Sequence, residues 1–230
     1  MISNSRPTCI YCGSDADTRD HVPPKAFFPK PRPSDMLTVP SCAACNNGFQ
    51  LDDDYAYMTL LARDDISDRK AVQLLTPKLL RSLERPEGRA LPVSIVRTAR
   101  EFPVYTSDGV VAGTTPAYGI SSTRMHRFAT RIIRGLFFTE IGYAVPTTHD
   151  VGVALFLEGR PAKYSEIGQF LDGRPIQRIG DGVFAYCWNI LPANEHTTVW
   201  MFSLYDRIGF GGLTSKRSDP TAMPYNERCN

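Results

Sequence analysis

Apolar and polar positions recur with different periods along the chain, and those periods predict its elements. Over residues 122–143, STRMHRFATRIIRGLFFTEIGY, the side chains Met125, Phe128, Ala129, Ile132, Leu136 and Phe137 form one stripe at helical spacing. Arg124, Arg127, Arg131 and Arg134 fall on the opposite side, within an arc of roughly 80° at about 100° per residue. Gly142 and Pro146 suit the end of this helix. A second helix is predicted after Cys45, where Tyr55, Met58, Leu61 and Ala62 recur at helical spacing and Asp52, Asp53 or Asp54 would serve as N-cap. Residues 71–83 read as a helix interrupted by Pro77, and 86–92 as a linker or turn.

Elsewhere the period is that of strands. VSIV and PVYT, within 92–111, alternate with polar residues, and Ser107-Asp108-Gly109 suits a hairpin turn. After Pro146 the runs VGVALFLEG, VFAYCWNIL, TTVWMFSLY and RIGFGGL are rich in β-branched and aromatic residues and are separated by turn residues. Tyr186, Trp188, Trp200 and Tyr205 are expected in the core, with base stacking as the minor alternative. His126 and Gly135 suggest no role. One long helix with four strands predicts an α+β arrangement.

Residues 13–41 show neither period. Prolines stand at 23, 24, 29, 31, 33 and 40, so no helix runs through this segment. Short strands are expected over Thr18–Val22 and 37–39.

Composition narrows the class without naming it. A hydrophobic share of 42% with 22% charged residues is that of a globular chain with a core, and not of a disordered one. The net charge of +2 does not by itself argue for nucleic acid. Residues 1–65 carry six Lys/Arg against nine Asp/Glu, and the other 165 carry 20 against 15. An acidic head on a basic body suits a metal site beside a polyanion-binding surface, and ordinary surface variation explains it equally. No apolar run is long enough to span a membrane, and MISNSRPTC has no apolar signal region, so a cytoplasmic, reduced chain is expected.

Reduced cysteines change the picture. Cys9-x-x-Cys12 and Cys42-x-x-Cys45 are two knuckle-forming pairs, 29 residues apart, and together they would complete a four-cysteine site for a structural zinc ion. A disulfide framework is the competing reading, disfavoured by the missing signal region. Cys187, in an apolar run, is expected as a core thiol, and Cys229 as irrelevant.

The stretches CIYC, RDHVPPK and CAACNN, in this order over about residues 9–60, resemble the HNH nuclease family, whose ββα-metal unit is often braced by zinc on two CxxC pairs. The resemblance implies His21 as general base, Asp20 as carboxylate ligand of a catalytic Mg²⁺ or Mn²⁺, and Asn46 as second ligand at the start of the helix. The family's middle Asn has no plain match; Asp35 is the nearest candidate. Asp52, Asp53 or Asp54 could supply a third ligand. The residue types suit the chemistry: a neutral imidazole accepts a proton near neutral pH, and a hard divalent ion prefers carboxylate and amide oxygens.

Lys25, Lys30 and Arg32 follow His21 on the Pro-rich segment and could contact phosphates, or could simply be solvated. The same two readings apply to the arginine stripe of Arg124, Arg127, Arg131 and Arg134.

The chain is therefore expected to be α+β, with a zinc-braced HNH unit over 1–65 followed by a mixed helix and antiparallel-strand domain over 66–230. It is expected to be a metal-dependent endonuclease acting on nucleic acid, with DNA as substrate, and a homodimer remains open. Its rivals are a non-catalytic zinc module that binds nucleic acid and a purely structural or interaction protein.

Overall fold

The computed structural model of the chain describes residues 7–61, 77, 81, 84, 93, 96–157, 168–192, 195–206 and 208–217. It is a mixed α+β structure with antiparallel sheets and a cysteine cluster near the N-terminus. It divides into two compact units, one made of 1–28, 32–46 and 129–230, the other of 29–31 and 47–128. This division cuts across the boundary expected at 65/66, because segments far apart in sequence pack into the first unit.

In the first unit, β1 (Thr18–Val22) and β2 (Leu37–Ser41) form the expected antiparallel hairpin, with β2 two residues longer than predicted. β1 alternates: Asp20 and Val22 are buried, Arg19 is exposed and His21 is half-buried. The segment between the strands is held by more than its prolines. Phe27 and Phe28 are buried, and Tyr205 Oη donates to the Phe27 carbonyl at 2.6 Å.

The core of this unit lies between a helix and a five-stranded sheet. The sheet comprises β5 (His149–Leu157), β6 (Gln177–Ile179), β7 (Phe184–Ile190), β8 (Thr198–Leu204) and β9 (Ile208–Lys216), in the order β5-β9-β8-β7-β6, all antiparallel. Four strands match the sequence expectation; β6, three residues long, has too little pattern to be read from sequence. Thr198, Trp200, Phe202 and Leu204 are buried and face Thr214, Gly212, Phe210 and Ile208 across the β8–β9 ladder. Trp188 and Trp200, paired between β7 and β8, stack at 5.3 Å.

The helix is α3 (Ser122–Ile141), which runs through both units. All six residues of its predicted apolar stripe are buried. Two glycines let it approach its neighbours. A Cβ on Gly135 would overlap the Val22 side chain, and one on Gly212 of β9 would overlap Ile133 Cδ1. Gly135, without a role in the sequence, is thus the contact point between α3 and β1.

α1 (Ala43–Gly48) follows the hairpin, and α2 (Gln50–Leu61) follows α1. α1 was not expected; it ends at Gly48, and only Phe49 separates it from α2, which matches the predicted helix. α2 begins at Gln50, so Asp52 and Asp53 lie in its first turn rather than capping it. In the second unit α2 is buried all round from Tyr55 to Leu60. β3 (Arg100–Tyr105) and β4 (Val111–Ala117) form a hairpin around the predicted Ser107-Asp108-Gly109 turn. Of VSIV only Val93 and Val96 lie among the described residues, and both are helical and exposed rather than in a strand. The helix expected over 71–83 and the linker over 86–92 lie almost wholly outside the described residues, as does Cys229.

Candidate functional site

The sulfur atoms of Cys9, Cys12, Cys42 and Cys45 lie within 4.8 Å of one another. The first pair is folded by a tight turn: Cys9 N–H donates to the Ser14 carbonyl at 2.7 Å and Gly13 N–H to the Cys9 carbonyl at 2.9 Å. Gly13 has φ +81°, the left-handed conformation that glycine adopts without strain. In the second pair, Cys45 N–H points at Cys42 Sγ at 3.4 Å. Cys12 Sγ and Cys42 Sγ are 3.7 Å apart; sulfurs about 2.3 Å from one tetrahedral ion would be roughly 3.8 Å apart. Hydrogen bonds from Ser14 lower the Cys12 thiol to about 6, whereas burial and the neighbouring thiols push Cys45 up. Four sulfurs cannot all ionise in so small a space without a cation between them, and a divalent ion reverses that repulsion. The donor set therefore fits a metal.

The cluster ties down both ends of the hairpin segment. Ile10 N–H donates to the Pro40 carbonyl of β2 at 3.2 Å. Asp17 Oδ1 accepts from Ala43 N–H at 2.7 Å, satisfying one free amide at the start of α1. Asn46, on α1, donates from Nδ2 to Thr18 Oγ1 at 3.3 Å and to the Arg19 carbonyl at 3.4 Å. A carbonyl acceptor fixes which end of the amide faces β1, so Asn46 Oδ1 is directed elsewhere and remains an oxygen donor.

His21 and Asp20 do not converge. Asp20, with a side chain only 3% exposed, accepts from Arg131 Nε at 2.8 Å, from Arg131 Nη2 through its other oxygen, and from Tyr11 Oη at 2.8 Å. The expected ligand role is corrected: successive strand residues leave on opposite faces, and Asp20 takes the inner one, where Arg131 neutralises it. His21 is half-buried on the other face, opposite Thr38 in register. Burial, with Lys25, Arg32 and Arg131 nearby, depresses its proton affinity below the usual imidazole value, against the pull of Asp20. The imidazole is therefore neutral at physiological pH.

The remaining candidates separate into engaged and open groups. Three arginines of the stripe pair with carboxylates. Arg131 is buried on Asp20. Arg124 and Arg127 both pair with Asp52, at 3.2 and 2.7 Å, which also takes Asp52 out of the candidate ligands. Arg134 donates to the Ile10 carbonyl at 3.5 Å, and its Nε is buried. Three of these cations meet carboxylates from other segments, and the periodicity of one helix carries no sign of them. Asp53 and Asp54 are half-buried on α2, and Asp35 is exposed in the turn before β2. Lys25, Lys30 and Arg32 are exposed, and Arg32 Nε donates to the Lys25 carbonyl at 3.3 Å. Cys187 is half-buried, and burial raises its thiol. Trp200 and Tyr186 are core residues; Trp188 and Tyr205 are half-buried.

For the catalytic Mg²⁺ or Mn²⁺, the expected carboxylate Asp20 is committed to Arg131, and of the pair Asp20 and Asn46 it is Asn46 that keeps an oxygen to offer. Sequence reasoning missed Tyr11 and Arg131 as partners of Asp20. It also passed over Arg19, which strand alternation puts on the face of His21.

The fold and site define a mixed α+β protein with four cysteines placed to hold a metal. The chain was compared with protein-family models, curated proteins and solved structures, and no match was found. Among the described residues, no helix is long and apolar enough to cross a membrane.

Proposed function

We propose that this chain is an HNH-type endonuclease that hydrolyses phosphodiester bonds in nucleic acid, with DNA as the expected substrate. What carries the reading is the bracketing of one hairpin by the cysteine cluster. The hairpin presents a neutral His21 on β1, and Asn46 on the following helix is hydrogen-bonded to the same strand. Cys9, Cys12, Cys42 and Cys45 hold zinc in this reading, and the ion supplies cross-linking of the two knuckles.

His21 takes a proton from an attacking water, whose oxygen forms the new bond to phosphorus. The P–O3′ bond breaks, and the 3′ oxygen takes a proton from solvent. The products are a 5′ phosphate and a 3′ hydroxyl, and the imidazolium returns its proton to solvent. Asn46 Oδ1 is the open oxygen donor for a hard divalent ion, but no step is assigned to such an ion, since Asp20 is committed to Arg131.

The test is a plasmid assay on the purified protein with Mg²⁺, Mn²⁺ or chelator, alongside metal analysis. Cleavage by the wild type and its loss in His21→Ala, with one tightly held metal ion per chain in both, is the expected result. The engagement of Asp20 favours one rival, a metal-braced module that binds nucleic acid without cutting it. That rival holds if DNA is bound but never cleaved with either ion.

A further inference from the structure

We propose that Arg19 binds the non-bridging oxygens of the phosphate attacked at His21, with Lys25 and Arg32 holding neighbouring phosphates of the strand. The inference rests on the nuclease reading for its catalytic part and on geometry for its binding part.

Arg19 and His21 are two apart on β1, so they share the face opposite Asp20, with Cβ atoms roughly 7 Å apart. The guanidinium does not wander. Its Nε donates to Thr38 Oγ1 and its Nη2 to the Thr38 carbonyl, both at 2.9 Å. Thr38 is the residue directly opposite His21 in the hairpin. The cation is therefore drawn diagonally across the strands toward the imidazole. Two of its five N–H groups are used and three remain, on an exposed side chain.

Charge pairing separates Arg19 from three arginines of α3. Arg124, Arg127 and Arg131 each meet a carboxylate. Among the described residues, Arg19, Lys25 and Arg32 meet none, and Arg19 and Arg32 donate instead to hydroxyl or carbonyl oxygen. Lys25 and Arg32 are close enough to His21 to weaken its hold on a proton. Asp20, the one nearby acid acting on His21, is neutralised by Arg131.

Among the described residues, no carboxylate is paired with these cations on the face around the imidazole, and a phosphodiester supplies the opposite charge. Negative charge grows on the non-bridging oxygens as water adds. A guanidinium already fixed in the ground state stabilises that charge without reorganising. Lysine is a point charge without the planar fork, so it substitutes poorly.

The experiment compares wild type, Arg19→Met, Arg19→Lys and Thr38→Val, with metal content and melting temperature as controls for folding. Cleavage of a labelled duplex oligonucleotide gives kcat and KM. Salt-dependent binding of the same duplex is measured separately, in a His21→Ala background. Arg19→Met is expected to lower kcat on the order of 10²–10³-fold. It is also expected to reduce the log–log salt slope by about one. Arg19→Lys should restore the slope but not kcat, and Thr38→Val should cost up to about tenfold in kcat. Lys25→Met and Arg32→Met should act on KM and the salt slope. If the wild type cuts and Arg19→Met cuts equally fast, the inference is overturned while the nuclease reading stands. If the wild type binds but does not cut, and Arg19→Met still lowers the slope, the nuclease reading fails and the phosphate contact holds. An unchanged slope in that case removes the phosphate contact as well.

Discussion

Asp20 and His21 are adjacent in sequence, yet strand alternation gives one a buried ion pair and the other a half-open face. Removing one member of a buried pair leaves an uncompensated charge, so Arg131→Met should cost about 3–5 kcal/mol in denaturant unfolding. The double change Asp20→Leu with Arg131→Met should recover most of that loss, because no charge is left behind. Tyr11→Phe removes one charged hydrogen bond and should cost about 1.5–3 kcal/mol. A cost of Arg131→Met near zero would show the pair to be solvated. His21 titrates in the opposite sense to a salt-bridged histidine. Its folded proton affinity is depressed, chiefly by burial, so the stability from the neutral ring is complete above about pH 6.5 and is lost as pH falls through the folded value. An NMR titration of His21 should give a midpoint below about 6.5, with the acid limb of cleavage following it. The four cysteines were legible as candidates from spacing and residue type, whereas His21 and Asn46 were candidates through the family resemblance. The partner of Asp20 was not legible, since Arg131 lies 111 residues away and only the fold brings it there.

At the scale of elements, α3 was legible because its six-residue stripe is long and strictly periodic. Its other side reads differently in the fold: Arg131 is buried on Asp20, while the more exposed Arg124 and Arg127 pair with Asp52, and no helical period signals those carboxylates. The strands after Pro146 were legible from β-branched and aromatic runs, whereas Val93 and Val96 of VSIV, with the same composition, are helical. Gly135 gives the test at this scale. Alanine is the better helix former by about 1 kcal/mol. The added methyl would overlap Val22, whose branched side chain comes within 3.1 Å at its own Cβ and cannot swing clear. Gly135→Ala should therefore lower stability by about 1–3 kcal/mol, and Val22→Ala in the same chain should relieve part of it. A stabilised Gly135→Ala protein would mean that β1 does not rest on α3.

For the whole molecule, the compact units cut across the expected boundary at 65/66, and local pattern cannot report a contact between the N-terminal hairpin and a helix beyond residue 120. A fragment of residues 1–65 should accordingly stay unfolded, or fold only weakly when metal is added, as seen in the dispersion of its amide NMR spectrum. In the full chain, Cys45→Ser should abolish tight metal binding and lower the melting temperature of the first unit as a whole, by calorimetry. The knuckles, the hairpin and α3 share one hydrogen-bonded network through Ile10, Tyr11 and Asp20.

That network has a consequence for biogenesis. Asp20 leaves the ribosome 111 residues before the arginine that will neutralise it. At about 5–20 residues per second, the gap is on the order of ten seconds. Through that interval the nascent hairpin has neither its counter-ion nor the helix that Val22 lies against. Early capture of a metal by the four thiols would then serve as a placeholder, keeping the strands in register until the rest of the polypeptide arrives.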